Sequence, residues 1–204
     1  MKAYLLVILL GYLLGSSNMA FWLSKLKKVD IRSMGSGNLG ASNATVLLGW
    51  GAGVIVAVHD IGKALASVLL AKYLFPDMEL VGAVAGVACV LGHIFPFYLK
   101  FKGGKGLASF FGMIIALNWK VAIAMGVILV LVTVITDFIS LATMTVSVTG
   151  PIGIWIDTGT WMIPLVLCVA TVVILLKHRE NVVRIMNHTE IGLRSTAKGE
   201  NRVK

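Results

Sequence analysis

The residues able to do chemistry in this chain gather in a few polar stretches. The longest runs Gly92-His93-Ile94-Phe95-Pro96-Phe97-Tyr98-Leu99-Lys100-Phe101-Lys102-Gly103-Gly104-Lys105-Gly106. Its Gly-Gly-Lys-Gly turn combines backbone donors with lysine charge, the logic of a phosphate cradle. Gly106 falls near the start of the next apolar stretch, where helix N–H groups and the dipole favour an anion. The G-x-x-x-x-G-K-[ST] pattern is absent, so ATP binding is not implied. An ordinary basic loop accounts for Lys100, Lys102 and Lys105, but not for two adjacent glycines followed by Lys-Gly. His93 reads either as a packed polar residue or as a site residue.

A second stretch, residues 30–43, carries Gly35, Ser36, Gly37, Asn38, Gly40, Ser42 and Asn43. Its glycines permit close backbone approach to an anion, and its short polar side chains add neutral hydrogen-bonding groups. The plainer reading is a turn followed by a helix cap at Ser42 or Asn43. A third stretch holds Lys177, His178, Arg179, Glu180 and Asn181, followed by Arg184, His188 and Glu190. His178, Glu180 and Asn181 can hydrogen-bond a polar substrate, with His178 as a general base or Glu180 as a purely structural residue. A fourth group, His59, Asp60 and Lys63, lies inside an apolar run. Intramembrane charge is costly and normally faces a bundle interior or an aqueous path. Asp60 and Lys63, spaced i,i+3, form either a structural or a catalytic pair. The four histidines do not form a metal-binding pattern. Cys89 and Cys168 read as small buried hydrophobes.

These stretches need elements to hold them, and the composition says which kind. Of 204 residues, 58% are hydrophobic and 13% charged, and the mean hydropathy is +0.92. A soluble domain is ~25% charged, so the chain reads as a polytopic membrane protein rather than a cytosolic enzyme or a nucleic-acid-binding domain. Seven apolar stretches stand out, at about 3–23, 45–74, 80–99, 107–118, 120–136, 139–156 and 160–176. The fourth is short, and its boundary with the fifth is marked only by Asn118, Trp119 and Lys120. Fourteen of the 18 basic residues follow the first, third and last stretches. Positive charge at span ends marks the cytoplasmic side. The expectation is therefore an all-α integral membrane protein, one polytopic domain over 1–204. It has seven transmembrane helices, an outside N-terminus and a cytoplasmic C-terminus. All the polar loops but the intramembrane group then meet the cytoplasmic face.

The motifs together resemble the bacterial PlsY family of membrane acyl-phosphate:glycerol-3-phosphate acyltransferases. The resemblance is carried by Ser36 to Asn43, by Gly92 to Gly106, and by His178 to Asn181 with Glu190 following. It covers most of the chain in the right order, and the second motif is long and specific. The resemblance implies an enzyme of the bacterial inner membrane that faces the cytoplasm. Such an enzyme moves an acyl group from acyl phosphate to the 1-hydroxyl of sn-glycerol 3-phosphate, without cofactor or metal. Its partners are those two substrates, membrane lipids and the enzyme that supplies acyl phosphate, with no nucleic acid. The carry-over makes Ser36, His178 and Asn181 catalytic. It makes Gly37, Asn38, Gly40, Asn43, His93, Lys102, Gly103, Gly104, Lys105, Gly106, Thr143 and Glu180 substrate-binding.

Five positions depart from the family pattern, one of them the conservative Ser42 for threonine. Val46 stands where an arginine is common, Asp137 where a basic residue is common, and Ala64 and His188 where glycine is customary. Loss of an arginine removes a rigid fork suited to phosphate. Two alternatives follow: a divergent paralogue that binds lipid phosphate without this activity, and a transporter of a phosphorylated solute lined by His59, Asp60 and Lys63.

Overall fold

The computed structural model describes residues 1–194 and divides them into two compact units, 1–117 and 118–194. Lys198, Arg202 and Lys204, counted above among the basic residues after the last apolar stretch, lie outside the described residues. The chain is an all-α integral membrane protein with several spans.

The first unit holds α1 (Lys2–Ser16), α2 (Met19–Leu26), α3 (Ala41–Leu48), α4 (Trp50–Leu74), α5 (Val81–Ile94), a short 3-10 turn (Phe97–Leu99) and α6 (Leu107–Leu117). The stretch Val81–Leu99 is the most enclosed of the spans, at 72% buried, and α5 packs against α1, α4 and α6. Small residues make the α1–α5 approach possible. A methyl group on Gly15 would overlap the Cys89 backbone, and one on Gly92 would overlap the Tyr12 carbonyl. Removing such side chains lets membrane helices close to backbone contact. Two tyrosines then cross-tie the pair: Tyr12 donates to the Phe95 carbonyl at 2.7 Å and Tyr98 to that of Ser16 at 3.0 Å.

The second unit holds α7 (Trp119–Thr136), α8 (Ile139–Thr158), α9 (Met162–Lys177) and α10 (Arg179–Met186), with α7 against α8 and α8 against α9. Ile123, Val127, Val130 and Val134 stay exposed on one face of α7, and Leu165, Val169, Val172 and Leu176 on one face of α9. Apolar side chains at helical spacing on the outside are what a hydrocarbon solvent requires, since each helix already satisfies its own backbone.

The expectation of seven spans is overturned. Among the described residues, five helical stretches are long and apolar enough to cross a membrane: Lys2–Leu26, Trp50–Leu74, Val81–Leu99, Trp119–Thr136 and Ile139–Thr158. A sixth is reached only if α9 and α10, bent by 45° at His178, count as one span. The reason lies in lengths. At ~1.5 Å per residue α6 is about 16 Å long, while the hydrocarbon core is ~30 Å thick. Asn118 ends the apolar run of α6 and caps α7, accepting from the N–H groups of Lys120 and Val121 at 3.1 and 3.2 Å. The outside-N, cytoplasmic-C arrangement rested on an odd count of seven and loses that support.

Two further expectations change. The apolar run 45–74 is divided at Gly49, whose φ of +92° ends α3 and starts α4. A methyl group on Gly53 would collide with Thr45, so the α3–α4 packing depends on glycine there. Of the two cysteines, Cys89 is buried but Cys168 is exposed on α9.

Candidate active site

In the first unit, α5 ends at Ile94 and the chain turns through Pro96 and Phe97–Leu99 into the glycine loop. The loop folds back onto the helix that precedes it. Gly103 N–H donates to the Ile94 carbonyl at 3.0 Å, and Gly104 N–H to that of His93 at 3.2 Å. Two of the expected phosphate-binding amides thus hold the turn itself, answering carbonyls that a helix end would leave open. Gly106 has a φ of +98° and leads into the head of α6. Lys102 is exposed, Lys105 is half-buried, and Gly104 and Gly106 are buried.

Gly104 has a particular reason to lack a side chain. A methyl group there would overlap the His93 imidazole at Nε2 and Cε1. That ring in turn joins the turn to the intramembrane charges. Lys63 Nζ lies 2.8 Å from Asp60 Oδ1 and 3.0 Å from His93 Nδ1, and donates to the Ser17 carbonyl at 2.7 Å. His59 closes the group, with Nδ1 3.3 Å from Asp60 Oδ1 and Nε2 2.9 Å from Ser17 Oγ. Asp60, Lys63 and His93 are 1%, 7% and 3% exposed. Opposite charges so deeply buried persist because each is paired and hydrogen-bonded. Sequence spacing shows the Asp60–Lys63 pair but not its link to His93, which is 30 residues away. The one available signal is that His93 and Gly104 share a motif. Charges bonded to one another in this way do not form the open polar lining that a solute pathway requires.

The 30–43 loop is organised from inside by one side chain. The Asn43 amide donates to the carbonyls of Ile31, Asn38 and Met34 at 3.0, 3.1 and 3.3 Å, and its oxygen accepts from Ser36 N–H at 3.1 Å. Neither Ser42 nor Asn43 caps α3; Gly40 occupies that place, and no side chain bonds the free end. Gly35 and Gly37 take φ of +59° and +65°, which bends the loop back over Asn43. Ser36 and Gly37 are exposed, and Asn38 and Gly40 half-buried. Asn18, at the break between α1 and α2, accepts from Phe21 N–H at 2.9 Å and donates to the Leu39 carbonyl at 3.3 Å. Val46 is exposed on α3.

In the second unit the organising group is Glu190. Its Oε1 accepts from Asn181 Nδ2 at 2.6 Å and from Ser140 Oγ at 2.9 Å, and its Oε2 from Arg184 Nε at 2.7 Å. Burial alone would raise its pKa, but these three donors outweigh that and hold the carboxyl below its ordinary value. Glu180, the acid expected to bind substrate, is exposed in the first turn of α10, where it complements the helix dipole. His178 is buried at the α9–α10 bend, its Nδ1 2.8 Å from the Ile174 carbonyl. Thr143 is buried and donates back to Ile139 at 2.7 Å. Asp137 takes a left-handed φ of 70° after α7, and its carbonyl and carboxylate accept from the N–H groups of Leu193 and Arg194, each at 2.9 Å. An aspartate thus fastens the tail where the family pattern favours a base. Among the described residues, no group of three or more His, Cys, Asp or Glu side chains is placed to hold a metal ion.

Comparison with known proteins bears on the whole of this arrangement. A family model described as glycerol-3-phosphate acyltransferase matches residues 5–188. The glycerol-3-phosphate acyltransferase of Shouchella clausii (strain KSM-K16) is 39% identical over 189 residues, covering 90% of this chain and 92% of that one. Its counterpart in Prochlorococcus marinus (strain MIT 9312) is 34% identical over 189 residues, with 91% and 95% covered. Among solved structures, the glycerol 3-phosphate form of PlsY (YgiH), an integral membrane glycerol 3-phosphate acyltransferase, superposes with a TM-score of 0.89 at 32% identity. It covers 94% of this chain and 96% of that one. Its lysophosphatidic acid form gives 0.85 at 32% identity, covering 93% and 94%.

Proposed function

The chain belongs to the glycerol-3-phosphate acyltransferase family, and from that premise we infer that it joins an acyl group from acyl phosphate to sn-glycerol 3-phosphate. It is an acyltransferase of phospholipid synthesis. The glycerol hydroxyl oxygen attacks the acyl carbonyl carbon, and the bond from that carbon to the phosphate oxygen breaks. The products are 1-acyl-sn-glycerol 3-phosphate and inorganic phosphate, and the hydroxyl proton leaves with the phosphate or through His178. Acyl phosphate carries its own good leaving group, so no Ser-His-Asp arrangement is needed.

Lys102, Lys105 and the Gly103–Gly106 turn hold the acceptor phosphate, supported by His93. Because the Gly103 and Gly104 amides are engaged with α5, lysine charge and the α6 amino terminus supply the attraction. Ser36, with Gly37, Asn38 and Gly40, orients the donor and stabilises the developing oxyanion. Asn43 contributes by holding that loop. His178 orients or deprotonates the hydroxyl, and Asn181, with Thr143 and Glu180, contributes polar contacts to substrate. The observation that carries this reading is the glycine turn clamped onto α5 around a buried histidine.

The protein is a multi-pass membrane protein, and the bacterial inner membrane suits it. We place the active site at the cytoplasmic face, because basic residues flank each polar loop. A single functional domain is supported by the family match, which runs through both units. Purified protein given acyl phosphate and radiolabelled glycerol 3-phosphate is expected to form lysophosphatidate. Absence of product under conditions where the folded protein is intact would overturn the activity. Equal turnover with acyl-CoA would overturn the choice of donor.

A further inference from the structure

We propose that Lys63 and Asp60 are positioning residues for glycerol 3-phosphate recognition, holding His93 in the tautomer whose Nε2–H faces the Gly103–Gly104 turn. The inference rests on the reading of that turn as the acceptor-phosphate site.

An ammonium group has three protons to give and nothing to accept. Lys63 Nζ has three acceptors around it: Asp60 Oδ1 at 2.8 Å, the Ser17 carbonyl at 2.7 Å and His93 Nδ1 at 3.0 Å. A ring nitrogen that accepts from an ammonium must be bare, which leaves the imidazole proton on Nε2. Asp60 Oδ1 lies 3.4 Å from the same Nδ1, a longer approach than that of Lys63, so it does not draw the proton to that side. Asp60 instead holds Lys63 in place and accepts from His59, which bonds Ser17 through its other nitrogen.

The Nε2 edge of the ring is the one lying against Gly104. His93 therefore fixes the turn twice, by its carbonyl accepting Gly104 N–H and by its ring filling the space a side chain would take. A structural ion pair would need Asp60 and Lys63 alone. The third Lys63 bond, to a ring packed under the glycine turn, carries the pair's influence to the surface site.

Two measurements test this. Spectra of the wild-type protein with 15N-labelled histidine should contain a histidine with bare Nδ1 and protonated Nε2 that disappears in Lys63→Met. Protonated Nδ1 on His93 in the wild type would overturn the proposal whether or not any variant folds. The charge-neutral double variant Asp60→Asn/Lys63→Met should raise KM for glycerol 3-phosphate roughly 10- to 100-fold, with KM for acyl phosphate unchanged. A folded double variant with wild-type KM for both substrates would reduce the cluster to an ion pair and overturn the positioning role. His93→Gln should retain more acceptor affinity than His93→Leu, and equal KM values would count against a polar contribution from the ring. Wild-type protein that makes no lysophosphatidate would instead defeat the functional reading, while the histidine spectrum would still report the tautomer.

Discussion

Each unit holds one carboxylate among several donors, Asp60 buried and Glu190 half-buried, and the two are satisfied in opposite ways. Asp60 sits inside a span and is met by a cation one helical turn away, with histidines completing the group. Glu190 sits in the tail beyond α10 and is met by Asn181, Ser140 and Arg184, gathered from two helices. The first carboxylate is neutralised locally because a membrane offers no other relief for charge. The second takes Asn181 and Arg184 from the preceding α10 and reaches Ser140 of α8 by folding back. The intramembrane group therefore depends on charge balance, and the tail group on hydrogen-bond geometry.

The sharpest way to break this comparison is Lys63→Met. It strands Asp60 in a buried place and should cost about 3–5 kcal/mol, read as thermal stability in detergent. The double variant Asp60→Asn/Lys63→Met should recover most of that loss. No recovery would mean that hydrogen bonds, not charge balance, dominate in the first unit as well. Gly104→Ala should follow at roughly 1–3 kcal/mol, because the new methyl group displaces the His93 ring. Its KM for glycerol 3-phosphate should rise more than its kcat falls.

Glu190→Gln keeps an oxygen for Asn181 and Ser140 but turns an NH2 toward Arg184. A cost of about 1–3 kcal/mol is expected, with increased proteolysis of the 187–194 segment as the readout. Acid should reproduce that release more gradually. The folded Glu190 carboxyl lies below its ordinary pKa, so its stabilisation is complete above the ordinary glutamate value of 4.5 and fades as pH falls through the lower folded value. Proteolysis that stays constant down to strongly acidic pH would contradict the sign of the shift. The smallest effect belongs to Asp30→Asn. The Arg32 backbone and side-chain donors hold the Asp30 pKa low, but the group is exposed, and no measurable change in Tm is expected.

These contrasts also explain what could be read from the chain before folding. The Asp60–Lys63 pair and the Asn118 break were legible because both are local: one is an i,i+3 spacing, the other a polar cap between apolar runs. The division at Gly49 was not, since a glycine amid apolar residues reads equally as a close-packing site. The count of seven spans failed for a similar reason. Residues 107–118 were visibly short for a span, yet hydropathy counted them as one; the folded helix is about 16 Å long. In the candidate site, the motifs named the polar loops but not the hydrogen bonds inside them. Asn43 reads as a cap until its amide is seen holding three carbonyls. Glu180 and Asn181 share one motif, but the Asn181 amide bonds Glu190 of the tail, nine residues on.

The balance between Asp60 and Lys63 has a further, electrical consequence. Moving one unpaired charge through the whole field costs ~2.3 kcal/mol per 100 mV of membrane potential. A pair with no net charge, bonded on one helix 2.8 Å apart, gives that field almost nothing to pull on. The stability of this group should therefore be the same in energised and de-energised vesicles, read as protease resistance of the first unit.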